Sequence, residues 1–269
     1  MTTSTVSAPA VMSFPQTSNA NAGRSDARRA ESALRDTQRD TQRLARLTGV
    51  MFLVTYATSI PPVLSHYVPA LSDPAFILAG GFDQGISWGA LLELLLTFSN
   101  IATALALYPV LRKRFQALSL GFVAARIMES VFIAMGIVAL LALNTLRLNA
   151  GDADPGILLV VGQALVAVHE WTFRLGPGVV VGVGNGLILG YMMWKTRLIP
   201  RGLSVLGLIG GPALLMGGAG VLFGAIEIGS VIQGLATLPE FVWELVLGFW
   251  LLIKGFNPAA VAALDEPRH

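Results

Sequence analysis

The chain has no cysteine among its 269 residues, only three histidines, and charged side chains at just 13% of its positions. The lack of thiols excludes disulfides, thiolate catalysis and cysteine-ligated metals. His66 and His169 are the only histidines besides the terminal His269. They cannot make a three-histidine zinc site, and His169-Glu170 lacks the second histidine of a zincin motif. No glycine-rich phosphate loop is present, so the chain by itself is not a nucleotide-driven pump. No metal, cofactor or nucleic-acid partner is expected. The first 43 residues contain no apolar run, so they do not read as a secretory signal. Asp26, Glu31, Asp36 and Asp40 also argue against an organelle transit peptide.

What is present in excess is apolar. Hydrophobic residues make up 54% of the chain before its 29 glycines are counted. A soluble domain is about 45–50% apolar with glycine included, and about a quarter charged. The missing charge is concentrated in residues 48–253, which carry apolar runs about as long as a ~30 Å hydrocarbon core requires at 1.5 Å per residue. The expected fold is an all-α polytopic membrane helix bundle of about six transmembrane helices. The runs are Leu47–Leu64, Ile86–Leu111, Leu118–Leu143, Leu175–Trp194, Gly202–Ile226 and Leu238–Ile253. Pro61 and Pro62 close the first. Residues 157–168 are apolar but too short to span, and read as an interfacial or re-entrant helix.

Three regions follow. Residues 1–43 form a cytosolic arm, disordered over 1–23 and then partly helical, with Glu31 and Arg35 four apart in ion-pair register. Residues 44–257 form the transmembrane domain, and 258–269 a short cytosolic tail. With alternate crossings, 15 of the 18 basic residues fall on one side, among them Arg112-Lys113-Arg114, Lys195, Arg197, Arg201 and Lys254. The positive-inside rule then places both termini in the cytoplasm of a cell (inner) membrane protein whose partner is the lipid bilayer.

Gly178, Gly182, Gly186 and Gly190 recur every fourth residue on one face of the fourth span. Small residues at that spacing let two helices approach closely in lipid, within one molecule or between two copies. Ionisable residues inside a bilayer are costly, about 2.5–3.5 kcal/mol each on insertion scales, so each needs an explanation. Glu93 and Asn100 fall in the second span, Arg126 and Glu129 in the third, Glu240 and Glu244 in the sixth. Together with Glu170 there are five carboxylates against Arg126 and Arg174. The excess of acid favours a hydrated or proton-accepting pocket over a set of simple ion pairs.

In "HEWTFRLGPG" (169–178), Glu170 and Arg174 are four apart in the favourable order for a helical pair. Gly176-Pro177-Gly178 then reads as a break, making His169, Glu170 and Arg174 an outer elbow. "GISWG" (85–89) matches a nucleophile-elbow pattern but opens a membrane helix, out of its structural context. No residue is assigned to catalysis.

Several stretches, taken in order, resemble one family: "RLARLTGVMFLVTYATSI", "WTFRLGPG", "LIPRGLSVLGLIG" and "PEFVWELVLGFWLLIKGF". The family is that of bacterial integral membrane proteins known as domain of unknown function 4386. The resemblance covers roughly residues 43–257. It implies a multi-pass protein of a bacterial cell membrane and carries over no activity. The residues themselves leave three readings open. One is a small-solute or proton-coupled transporter with Glu93, Arg126, Glu129 and Glu244 on its path. Another is a membrane-embedded hydrolase using Ser87 or a carboxylate. The third is a structural or sensory membrane protein whose charges only hold helices together.

Overall fold

The computed structural model describes residues 17–264, with side chains from residue 31 onward except at 33 and 34. Two compact units divide the chain, Met1–Asp40 and Thr41–His269. The first contains the start of helix α1 (Thr17–Pro61). There Glu31 accepts from Arg35 at 2.5 Å, one exposed turn apart. Of the residues expected to be disordered, 1–16 lie outside the described residues and 17–23 are helical.

The second unit is an all-α bundle. Among the described residues, five helical stretches are long and apolar enough to cross a membrane: Arg35–His66, Gln84–Leu148, Pro155–Thr196, Arg201–Leu222 and Val231–Ile253. These mark the chain as a membrane protein. The 65-residue stretch, α3 (Gln84–Leu148), would be roughly 95 Å long if straight, about three times a hydrocarbon core. It is not straight. Phe115, at φ −135° and ψ 66°, leaves helical geometry and turns the chain back on itself. Its two limbs lie antiparallel, so Asn100 meets Glu129 and Asp83 meets Asn144. This single bend reconciles five helical stretches with the two runs read as separate spans on either side of the basic cluster.

Residues 157–168, expected as a short separate helix, are the first part of α4 (Pro155–Leu175), which Asp154 caps through Ile157 N–H at 3.0 Å. The glycine–proline–glycine step does not stop the helix either. The chain continues through wide π-helical turns at Gly176–Val180 and Gly182–Leu189 into α5 (Gly190–Thr196). A proline ring clashes with the carbonyl one α-turn back, and a widened turn relieves that clash without ending the helix. The same device follows α1, where Pro62–His66 form a π turn closed by Tyr67 N–H to the Pro62 carbonyl at 2.9 Å. Pro61 and Pro62 therefore widen the first span and do not end it.

The remaining elements are α2 (Val68–Ser72), a 3-10 turn at Phe76–Ala79, α6 (Arg201–Leu222), α7 (Val231–Ile253) and α8 (Pro258–Leu264). Glycine sets how closely they pack. A Cβ at Gly186 would overlap the backbone of Gly211, and one at Gly182 would stand 2.8 Å from the Gly211 carbonyl. The four-residue glycine face is thus taken up by α6 of the same chain. Close approach of this kind brings the dispersion contacts that hold helices together in lipid.

At the end of the bundle carrying Arg112–Arg114 and Lys254, Gln42 clasps Phe256 in both directions. It donates to the Phe256 carbonyl at 2.6 Å and accepts from its N–H at 3.0 Å. At the opposite end, Asp83 and Asn144 exchange two 2.8 Å hydrogen bonds across the feet of the hairpin. Arg147 lies 3.6 Å from the Asp83 carboxylate and over the Phe76 ring. Phe98, Leu105 and Val138 are more than half exposed and face outward, as residues solvated by hydrocarbon do.

Candidate functional site

The bend at Phe115 decides where the charges meet. Arg126 and Glu129 are one turn apart on the second limb, so both face the first limb at the level of Asn100. Arg126 donates to the Glu129 carboxylate at 2.8 Å and to the Asn100 side-chain oxygen at 3.4 Å. Asn100 in turn donates to the other oxygen of Glu129 at 2.9 Å. From α7, Glu244 accepts from Arg126 at 3.4 Å. The guanidinium also lies over Phe52 and Phe122, 5.3 and 5.9 Å from the ring centroids, which gives it aromatic faces in place of water.

Glu240, one turn before Glu244, is only 2% exposed, and neither of its carboxylate oxygens has a hydrogen-bond partner. Glycine is what admits it. A Cβ at Gly186 or Gly210 would come within 2.7 or 2.6 Å of its Oε2. Trp243, between the two acids, is fully buried against Gly207 and donates its indole N–H to the Asn185 carbonyl at 3.3 Å.

The charged groups, with Asn100, form the floor of a cavity of about 580 Å³. Five of the six residues expected as a polar intramembrane cluster line it: Asn100, Arg126, Glu129, Glu240 and Glu244. Its walls are mostly apolar, with Leu96, Ile133 and Leu214 among them. Leu64 and Leu222, exposed by 71% and 52%, stand at the rim, at the end away from the basic residues. Arg174 also lines the cavity. It is 3.1 Å from Glu170 and lies over the Trp171 ring.

Glu93 belongs elsewhere. It is buried as deeply, at 2%, but accepts a 3.0 Å hydrogen bond from the Tyr67 hydroxyl. The Tyr67 ring packs edge-on against His169, with centroids 5.3 Å apart. His169 lies against Gly136 and, unlike Arg174, does not line the cavity. The structure therefore divides the expected outer group, with Arg174 on the cavity and His169 in a separate aromatic cluster. Glu170 opens on a smaller cavity of about 200 Å³ beside Asp73 and Gln163.

Ser87 sits in the first turn of α3 with its hydroxyl 3.5 Å from the Asp83 carbonyl. Neither candidate histidine bonds to it: His66 pairs with Ser65 at 2.9 Å, and His169 packs edge-on against Tyr67 with its Nδ1 unpartnered. Among the described residues no nucleophile–base pair forms there.

Sequence reasoning missed Tyr56 and Thr55, which line the cavity from α1, and Asn185, whose buried side-chain amide has no partner. The Tyr56 hydroxyl donates to the Phe241 carbonyl at 2.5 Å. An asparagine inside a glycine-rich apolar run was the one available signal for the last of these.

The family model described as "Domain of unknown function (DUF4386)" matches residues 47–255. No curated protein and no solved structure matches the chain.

Proposed function

The chain belongs to the DUF4386 family, and we propose that it is a multi-pass cell-membrane protein whose acidic cavity admits small solutes from outside the cell. One observation carries this reading. Three carboxylates and one guanidinium converge at the floor of a cavity set within helices apolar enough to span a bilayer. A protein that used charge only to tie helices together would match its charges and seal them. Here acids outnumber the buried base, Glu240 has no partner, and the space above is open. In a transmembrane bundle, charged groups facing a cavity mark solute or ion pathways.

Orientation follows from the basic residues. Arg112, Arg114, Lys195, Arg201 and Lys254 share one end with Gln42 and Phe256, and the positive-inside rule supports a cytoplasmic position for that end. The cavity rim at Leu64 and Leu222 is then external. Helix α3 contributes two crossings, and both termini are cytoplasmic. The apolar outer surface takes the lipid bilayer as its partner.

The absence of native cysteine allows a direct test. Thr237→Cys and Glu244→Cys place thiols on the cavity wall and floor, Leu222→Cys at the rim and Val138→Cys on the outward face. A membrane-impermeant maleimide added to intact cells should label position 222 fastest, then 237, then 244, and leave 138 untouched. No labelling at 237 and 244, with 222 reactive, would show a cavity closed to water and overturn the reading.

A further inference from the structure

We propose that the cavity binds an organic cation, an ammonium or its quaternary analogue on an apolar body, with Glu244 and Glu240 as its counter-charges. The proposal rests on the cavity reading above and names the ligand class.

Charge selects the sign. Around the floor, Glu129, Glu240 and Glu244 face one positive side chain, Arg126. Arg174, the other cation on the cavity, is engaged by Glu170. Ionised, the floor therefore carries three negative charges against one positive. Low-dielectric walls concentrate that field on whatever enters. Glu129 is fully engaged, with Arg126 on one oxygen and Asn100 on the other. Glu244 is not. Its side chain is 14% exposed, the most open of the three, and only one of its oxygens receives a bond from Arg126, at 3.4 Å. Glu240, one turn away on the same helix, has no hydrogen-bond partner at either oxygen. A buried carboxylate left this way is costly unless it takes up a proton or something positive reaches it.

The walls select the body. An inorganic cation such as Ca²⁺ needs six to eight oxygen ligands, and this cavity is walled mainly by carbon. A volume of about 580 Å³ falls within the roughly 300–1,000 Å³ range of sites for small organic ligands. Above the acids, Tyr56 and Phe241 meet edge to face at 4.9 Å, and Trp171 and Phe173 line the cavity nearby. Aromatic rings attract cations through their quadrupole and pack against apolar substituents. Acids below and carbon above match a molecule with a charged head and an apolar body.

The probe pair is tetraphenylphosphonium and tetraphenylborate, which share size and shape and differ in charge. Binding to the full chain in detergent micelles is measured by equilibrium dialysis against protein-free micelles. The cation should bind saturably and the anion should not. Glu240→Gln and Glu244→Gln should each weaken the cation about tenfold or more, as loss of one partner in a buried charge contact does. Glu240 makes no hydrogen bond, so its glutamine variant should fold normally and keep the test readable even if Glu244→Gln does not. Equal binding of both probes would reveal an apolar slot such as a lipid tail could fill, and would overturn the proposal. So would cation binding unchanged in Glu240→Gln. If the cation does not bind while Glu244→Cys still labels from outside, the cation proposal falls and the solute-accessible cavity stands. If neither occurs, both fall.

Discussion

Glu93 and Glu240 are buried to the same extent, 2% exposed, in helices of the same bundle, yet their surroundings differ. Glu93 has a single dedicated donor, the Tyr67 hydroxyl. That ring lies where a Cβ at Gly89 would collide with it, and it packs against His169. Glu240 rests against two glycines, with other acids as its near neighbours on the cavity floor and no donor at all. Burial alone therefore does not tell what a membrane carboxylate is for. The partner list does. A group given a hydrogen-bond donor by the fold contributes to the fold, whereas one left without a donor beside a cavity is free to answer the charge of a ligand.

The comparison breaks first at Arg126. Replacing it with leucine would leave Glu129 and Glu244 buried without a counter-charge. Removing one partner of a buried charge pair costs about 3–5 kcal/mol, the largest effect expected here. Arg126→Leu should show a strongly lowered melting temperature in detergent or a collapsed folded yield. Arg126→Lys should recover only part of the loss, because one ammonium cannot reproduce the planar fork that spans Glu129, Asn100 and Glu244. A leucine variant that melts like wild type would mean the floor does not depend on its guanidinium.

The next test turns Glu93 into a second Glu240. Tyr67→Phe keeps the ring against Gly89 and His169 and removes only the donor. Leaving a buried acceptor unpaired costs about 1–3 kcal/mol, so a clear but smaller fall in melting temperature is expected. Labelling at Thr237→Cys should not change in that background, because Tyr67 and Glu93 do not line the cavity. Altered labelling would join two clusters that the geometry keeps apart.

Much of this fold is legible without coordinates, because lipid imposes strong rules on sequence. Long apolar runs mark the helices, and the glycines at four-residue spacing on 178–190 mark a close approach, here to Gly211. The pairs within one helix, Arg126 with Glu129 and Glu170 with Arg174, follow from three- and four-residue spacing. Long-range partners do not follow. Arg126 and Glu244 meet across 118 residues, and no periodicity relates them. Glu93 looks like a member of the floor cluster because its spacing to Asn100 puts both on one face. Its true partner, Tyr67, lies in an irregular connection where no pattern places a side chain. The prolines mislead for a different reason. Gly176-Pro177-Gly178 and Pro61-Pro62 are read as breaks under α-helical rules, but a π turn has room for a ring that an α turn excludes.

The smallest expected effect is also the sharpest. Glu240→Gln should leave the stability of the unliganded protein, read from thermal melting, within about 1 kcal/mol of wild type or slightly above it. The carboxylate makes no hydrogen bond that an amide would lose. Any charge it takes on is buried and stands four residues from another acid on α7, a spacing at which like charges repel. Removing it relieves both costs, against the lesser penalty of burying an unpaired amide. Stability that barely moves while cation binding falls would separate this residue from every group that holds the bundle together. A loss as large as that of Tyr67→Phe would show instead that Glu240 has a partner in the folded protein, and the contrast with Glu93 would disappear.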